Sequence, residues 1–143
     1  MPNINAIIST ISKIHSGANK MIVSELKNHD LEGLAPSHGD ILILLYEKEE
    51  GIAMNQISLK IGKDKSTVTA LINKLERLEL LEKFKNEKDS RSTLVRLTKK
   101  GLDTKPIVMD KISKKLLQRA YSNFSEKEKK ELCMLLEKMK ENF

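Results

Sequence analysis

The polar residues between Lys63 and Arg91 have the types and spacing of a surface that meets nucleic acid. Ser66, Thr67, Thr69 and Asn73 carry short side chains that both donate and accept hydrogen bonds, as contact with base edges in a major groove requires. Lys63, Lys65, Lys74 and Arg77 place cations among them, and Lys85, Lys88 and Arg91 add more further along. Cations at this density neutralise phosphates. Thr69 and Asn73 lie about one helical turn apart and are expected to touch bases, while the cations hold the backbone.

Such side chains need a helix to carry them and a second element to complete the surface. Val68, Leu71, Ile72, Leu75 and Leu78 recur at three- and four-residue spacing, which predicts a helix over 64–79 with one apolar face. Asp64 is its expected N-cap, and Gly62 the expected stop of a shorter helix over 53–61. Helix, glycine turn, helix is the helix-turn-helix pattern. Glu82 to Asn86 and Thr93 to Leu97 then read as two short strands, with Phe84, Val95 and Leu97 facing inward. The polar tip between them, Glu87 to Ser92, makes a hairpin over 82–97, the wing of a winged helix. Arg91 at this tip is read either as a minor-groove contact or as a surface pair with Asp89 or Glu87.

Charge supports the same surface. The chain carries a net +6, and residues 60–100 alone hold 12 Lys and Arg against 6 Asp and Glu, so the remainder is neutral. Aromatic residues make up only 3% of the chain, which argues against base stacking on aromatic platforms. A single cysteine, Cys133, excludes an internal disulfide and a cysteine zinc cluster. It lies among Leu132, Met134 and Leu135 and is expected to be a small buried hydrophobe. His15, His29 and His38 lie far apart with no metal-ligand spacing, and no nucleophile or acid–base constellation is present, so neither a metal, a cofactor nor an enzyme is expected. No apolar run has transmembrane length and Met1 to Lys20 lacks a signal-peptide core, so a cytoplasmic protein is expected.

The flanks are helical. Asn3 to Leu31 reads as one long helix in which Ile4, Ile7, Ile11, Ile14, Ala18 and Met21 form a coiled-coil-like seam. That seam packs either on a second chain or on the chain's own C-terminal helices, and an intertwined dimer satisfies both. Ser37 is the expected cap of the next helix, with Asp40 at its third position. Thr98 is a cap for a later one, and Pro106 either kinks that helix or forces it to start near Thr104. Val108, Ile112, Leu116 and Ala120 form one stripe; Leu132, Leu135, Leu136 and Met139 form another, after Ser125 with Glu128 in a capping box. The expected fold is mainly α with a small β-hairpin wing: a winged helix-turn-helix over 34–102 and a helical dimerisation platform from 1–33 and 103–143.

The segment from Ser37 to Gly101 resembles the MarR family of bacterial winged-helix regulators. The likeness lies in Asn55-Gln56-Ile57-Ser58, Asp64-Lys65-Ser66-Thr67-Val68-Thr69, Leu75-Glu76-Arg77-Leu78, Asp89-Ser90-Arg91-Ser92 and Val95-Arg96-Leu97-Thr98-Lys99-Lys100-Gly101. The resemblance implies a homodimer on palindromic double-stranded operators, usually a repressor, with the wing Asp-x-Arg at Asp89 and Arg91. Two positions depart from the pattern: Leu80, where the family usually has glycine, and Pro106. The resemblance also implies a small-molecule effector, often anionic, between platform and winged helix. The joints near Gly33-Pro36 and Gly101-Pro106 suit a hinge, and Ile14, His15, Ala18, His38, Ile41 and Leu42 are the expected lining, unless that contact is simply filled. A protonated His15 or His38 would pair with the anion. A winged helix used only for protein contacts is the competing reading, and it leaves the localised basic face unexplained.

Overall fold

The computed structural model describes residues 1–143. A single 3-10 turn, Ile4–Ala6, leads into α1 (Ile7–Asn28), followed by α2 (Pro36–Tyr46), β1 (Ile52–Ala53), α3 (Met54–Ile61) and α4 (Lys65–Arg77). Strands β2 (Leu81–Lys85) and β3 (Thr93–Leu97) follow, then the single turn α5 (Lys99–Leu102). The chain continues as wide π-helical turns over Pro106–Ser113, which run into α6 (Lys114–Ala120), and ends in α7 (Glu126–Lys140). The three strands form an antiparallel sheet in the order β1-β3-β2, with Ile52 opposite Val95 and Leu81 opposite Leu97. This is a winged helix between helical arms.

Local chemistry explains most boundaries. Asp64 caps α4 by accepting the Thr67 N–H at 2.8 Å, and Ser125 with Glu128 forms the expected capping box on α7. At the end of α3, Gly62 is left-handed (φ 68) and the Lys63 N–H reaches back to the Ser58 carbonyl, a Schellman closure. The same closure ends α4 without glycine: Glu79 takes φ 62 and the Leu80 N–H donates to the Leu75 carbonyl at 3.0 Å. The left-handed position that glycine favours is therefore residue 79, and not Leu80. Leu80 is the residue after it, and its side chain is buried.

Several expectations need correction. The second helix starts at Pro36, not at a Ser37 cap; Ala35 is the N-cap residue, and its N–H donates to His38 Nδ1 at 2.8 Å. Proline is suited to the first helical position, where its missing N–H costs nothing. Ala53 belongs to β1, a two-residue strand too short to show any alternation. The helix at Thr98 lasts one turn, and the chain restarts beyond it with Pro106 at the head of the π-helical turns. Phe84 does not share the inward face of Val95 and Leu97. It lies half-buried on the other side of the sheet, under the Arg96 guanidinium at 4.3 Å. Cys133 is exposed rather than buried, because its helix α7 buries no residue within the chain; its Sγ lies 3.1 Å from the Tyr121 hydroxyl.

The core gathers Ile41, Leu42 and Leu45 of α2, Ile57 of α3, Val68, Ile72 and Leu75 of α4, and Leu81, Val95 and Leu97 of the sheet. Burying each such side chain stabilises the fold by roughly 1.5–3 kcal/mol. The same cluster continues into Leu26 of α1 and into Val108 and Ile112. Gly101 permits a close approach at the base of the wing, since a Cβ there would lie 1.9 Å from the Leu80 carbonyl oxygen. Beside it, Thr104 Oγ1 donates to the Gly101 carbonyl at 2.6 Å, so the buried Tyr46 hydroxyl donates to Thr104 Oγ1 at 2.6 Å. That chain of bonds links α2 to the joint before the π-helical turns.

Candidate nucleic-acid interface

Helix α4 turns Val68, Ile72 and Leu75 into the core and leaves Lys65, Ser66, Thr67, Thr69, Ala70 and Arg77 exposed. Its first turn is tightly organised. Ser66 Oγ donates to Asp64 Oδ1 at 2.8 Å and Thr67 Oγ1 to Oδ2 at 3.1 Å. With the Thr67 N–H as the largest contribution, these donors hold the Asp64 carboxyl at a pKa of about 2. Thr69 Oγ1 donates to the Lys65 carbonyl at 2.8 Å, which turns its hydroxyl lone pairs outward.

The wing tip stands across an open cleft from the start of α4. Asp89 Oδ1 accepts the Arg91 N–H at 3.0 Å, and the Ser92 N–H donates to the Asp89 carbonyl, so Asp89 shapes the turn. The Arg91 side chain remains 91% exposed, with Nε 3.4 Å from Asp89 Oδ1. Of the two readings of Arg91, the structure shows the surface pair with Asp89, which is loose and solvent-exposed. Lys65, Thr69, Asp89 and Arg91 line an open polar cleft of about 350 Å³, together with Asn55 and Ser58 of α3. Those last two are additions to the expected surface; their sequence signals are the i, i+3 spacing on a short amphipathic helix and their place in the Asn55-Gln56-Ile57-Ser58 segment. Lys63, Lys65, Arg77, Lys85 and Lys88 are exposed around this face and make no ion pair.

Two residues expected on the open face are engaged elsewhere. The Lys74 ammonium donates to the Gly33 carbonyl in the joint between α1 and α2. Asn73 is half-buried and its Oδ1 accepts from Lys83 Nζ at 2.5 Å. Lys83 went unnoticed in the sequence because only the strand register, which sets it opposite Val95, turns it toward α4.

The expected effector lining is not assembled as one wall. Ile41 and Leu42 are fully buried in the core. His38 is buried, and burial first, then the nearby Lys74 ammonium, lowers its pKa below the usual histidine value. With Nδ1 accepting from Ala35, it is a neutral helix-capping residue and no partner for an anion. His15 is exposed and contacts Asn19 at 3.2 Å. Ile14 and Ala18 instead line a groove of about 230 Å³ against α6, with Met21, Leu116, Lys13 and Arg119. No three His, Cys, Asp or Glu side chains group as metal ligands, and no helix is long and apolar enough to cross a membrane.

Comparison with known proteins agrees with this architecture. The family model described as "Transcriptional regulator SarA/Rot" matches residues 33–108. An uncharacterised HTH-type transcriptional regulator of Bacillus subtilis, YdgJ, is 30% identical over 127 residues, covering 88% of this chain and 74% of its own. The HTH-type transcriptional regulator SarZ of Staphylococcus haemolyticus is 30% identical over 81 residues; that match spans only about half of its length, 52%. Among solved structures, a MarR transcriptional regulator from Methanosarcina mazei superposes with a TM-score of 0.83 at 28% identity, covering 96% of each chain. MepR of S. aureus, solved as a DNA complex, superposes with a TM-score of 0.83 at 23% identity over the whole of both chains, a likeness of fold. With the family model covering the winged helix, and the Methanosarcina mazei regulator superposing on nearly the whole chain, this chain belongs to the MarR family of winged-helix transcriptional regulators, and not to a family of enzymes.

Proposed function

We propose that the chain acts as a homodimer that binds a palindromic double-stranded operator in the cytoplasm and represses transcription until a small molecule releases it. One observation carries the DNA contact: Lys65 and Thr69 of α4 share a single open cleft with Asp89 and Arg91 of the wing, ringed by unpaired lysines. A helix with small polar groups at its N-terminal end enters a major groove, and a cationic wing reaches the flanking minor groove or backbone. The shared fold of MepR, whose structure includes DNA, supports that placement. The proposed contacts are Lys65, Ser66, Thr67, Thr69 and Arg77 on the outer face of α4, Lys63 in the turn before it, and Lys85, Lys88 and Arg91 of the wing, with Asn73 at the flank of the helix.

Dimerisation rests on apolar faces that the chain does not cover itself. Ile4, Ile14 and Leu135 are 83%, 65% and 56% exposed, each on a periodic stripe of a flanking helix. A second copy related by a two-fold axis is the simplest closed cover. The two α4 helices would then enter successive major grooves about 10 base pairs apart. Release by an effector requires a ligand that prefers the non-binding arrangement. The α1–α6 groove, apolar at its floor and flanked by Lys13 and Arg119, suits an amphipathic anion.

The test is an electrophoretic shift of the full chain on the DNA upstream of its own gene, with a salt titration and sedimentation analysis. Specific, salt-dependent binding by a dimer is expected. Replacing Ile11 and Ile14 with charged residues should give monomers or aggregates that no longer bind. A soluble monomer that binds the full site at wild-type affinity would refute the dimer, and no binding at any salt would favour a protein-contact module.

A further inference from the structure

We infer that Lys83 is a positioning residue that biases which bases α4 reads, by drawing the Asn73 carbonyl oxygen to itself and leaving the amide NH2 as the group offered to a base. The inference rests on the proposed insertion of α4 into a major groove. A lysine ammonium only donates, so the atom that faces Lys83 Nζ at 2.5 Å is the Asn73 carbonyl oxygen, and the amide orientation is settled by chemistry. Glu76 Oε1 lies 3.6 Å from the same ammonium and holds it from the other side. The Asn73 Nδ2 makes no hydrogen bond in the chain, and no buried side-chain nitrogen or oxygen lacks a partner, so this nitrogen is open to solvent. Asn73 follows Ser66 by seven residues, two helical turns, and lies on the same outward side.

An unrestrained asparagine reads adenine by two bonds: its oxygen accepts from N6 and its amide donates to N7. Lys83 takes one of the two lone pairs of that oxygen and fixes a cation beside it, so a second donor such as adenine N6 is disfavoured there. Its two Nδ2 hydrogens suit an edge that shows acceptors with no neighbouring donor, which is guanine with N7 and O6, or thymine with O4. Adenine sets its amino donor beside N7 and is disfavoured. Lys83 lies ten residues away on β2, so the wing strand edits the base preference of the helix without touching a base itself.

The experiment is selection of binding sites from random duplex DNA by the full-length protein, with four chains compared: wild type, Asn73→Ala, Lys83→Met and Lys83→Arg. Wild type should enrich guanine or thymine about tenfold over adenine at one symmetry-related position in each half-site. Asn73→Ala should erase the preference at that position alone. Lys83→Met frees Oδ1 and should move that position toward adenine, while Lys83→Arg keeps a donor and restores the wild-type choice. A general loss of affinity with an unchanged base profile in Lys83→Met would overturn the inference, since loss of a positive charge or of wing stability acts on all sequences alike. Adenine enriched by wild type at the position that Asn73→Ala erases would overturn it too. If Lys83→Met fails to fold, judged by its melting, Asn73→Asp serves instead: it keeps the Lys83 contact but offers an acceptor, so the position should turn to cytosine, and retention of guanine or thymine would refute the proposal. Failure of wild type to enrich any sequence is a separate result, which removes the proposed DNA binding itself and this inference with it.

Discussion

The Lys74 ammonium donates to the backbone carbonyl of Gly33, and this bond ties the flank of α4 to the joint between α1 and α2. Gly33 lies between the long first helix and the winged-helix core, so the pose of α4 is linked to the arm that carries it. On the opposite flank Lys83 holds Asn73. The helix proposed to meet DNA is thus braced from both sides by lysines that do not themselves face outward.

Lys74 is therefore expected to act on stability rather than on phosphate contact. Lys74→Ala should lower the unfolding free energy by roughly 0.5–1 kcal/mol, as a solvent-exposed bond between a charged and a neutral group is lost. The salt dependence of DNA binding should be unchanged. Chemical denaturation and a salt titration of binding check the two parts, and a salt slope lower by one would mean that Lys74 reaches a phosphate instead.

Arg91 should behave in the opposite way. Its side chain is 91% exposed, so Arg91→Ala should leave the melting temperature in place. Binding should weaken on every sequence, with the slope of log affinity against log salt reduced by about one. An unchanged slope would mean that the guanidinium stays with Asp89 in the complex.

Glu79 holds a left-handed backbone conformation (φ 62) at the end of α4. That conformation strains a residue with a Cβ, and glycine adopts it freely. Glu79→Gly should stabilise the protein by about 1 kcal/mol, provided that the Thr98 hydroxyl keeps its 2.6 Å bond to the residue 79 carbonyl. Thermal unfolding of the variant measures this directly, and a lower melting temperature would contradict it.

His38 should make stability depend on pH between neutral and mildly acidic conditions. Burial and Lys74 hold its folded pKa below 6.5, so the unfolded chain takes up the proton first as the pH falls. Its contribution is present above about pH 6.5 and is lost below it, where the unfolded state binds more protons. His38→Gln keeps an acceptor near the Ala35 N–H but does not titrate. Melting curves from pH 7.5 to 5 should show the wild type losing stability relative to this variant, and parallel curves would show that His38 is not held neutral.

Much of this molecule is decided by the sequence itself, because the relevant interactions span three to five residues. The start of α4 follows from Asp64 and its reach to the Thr67 N–H, the end of α3 from Gly62, and the inner face of α4 from the spacing of Val68, Ile72 and Leu75. The strand Thr93–Leu97 and the capping box at Ser125 are local in the same sense. The excess of cations over 60–100 is a property of the sequence before any folding. Tertiary structure alone decides what those side chains do. Lys74 and Gly33 are 41 positions apart, and Lys83 and Asn73 are 10 apart on different elements, so no periodicity relates them. Phe84 faces the opposite side from Val95 because register with β3 sets the face of each residue, and a strand read alone can be assigned to either. His38 looks like a cation in the sequence and is a neutral acceptor in the fold, because burial raises the cost of its charge and the Ala35 N–H occupies its lone pair. Local caps and periodicities are chosen by nearest neighbours along the chain. Ionisation states, braces and sheet faces are chosen by neighbours that only the closed core brings together.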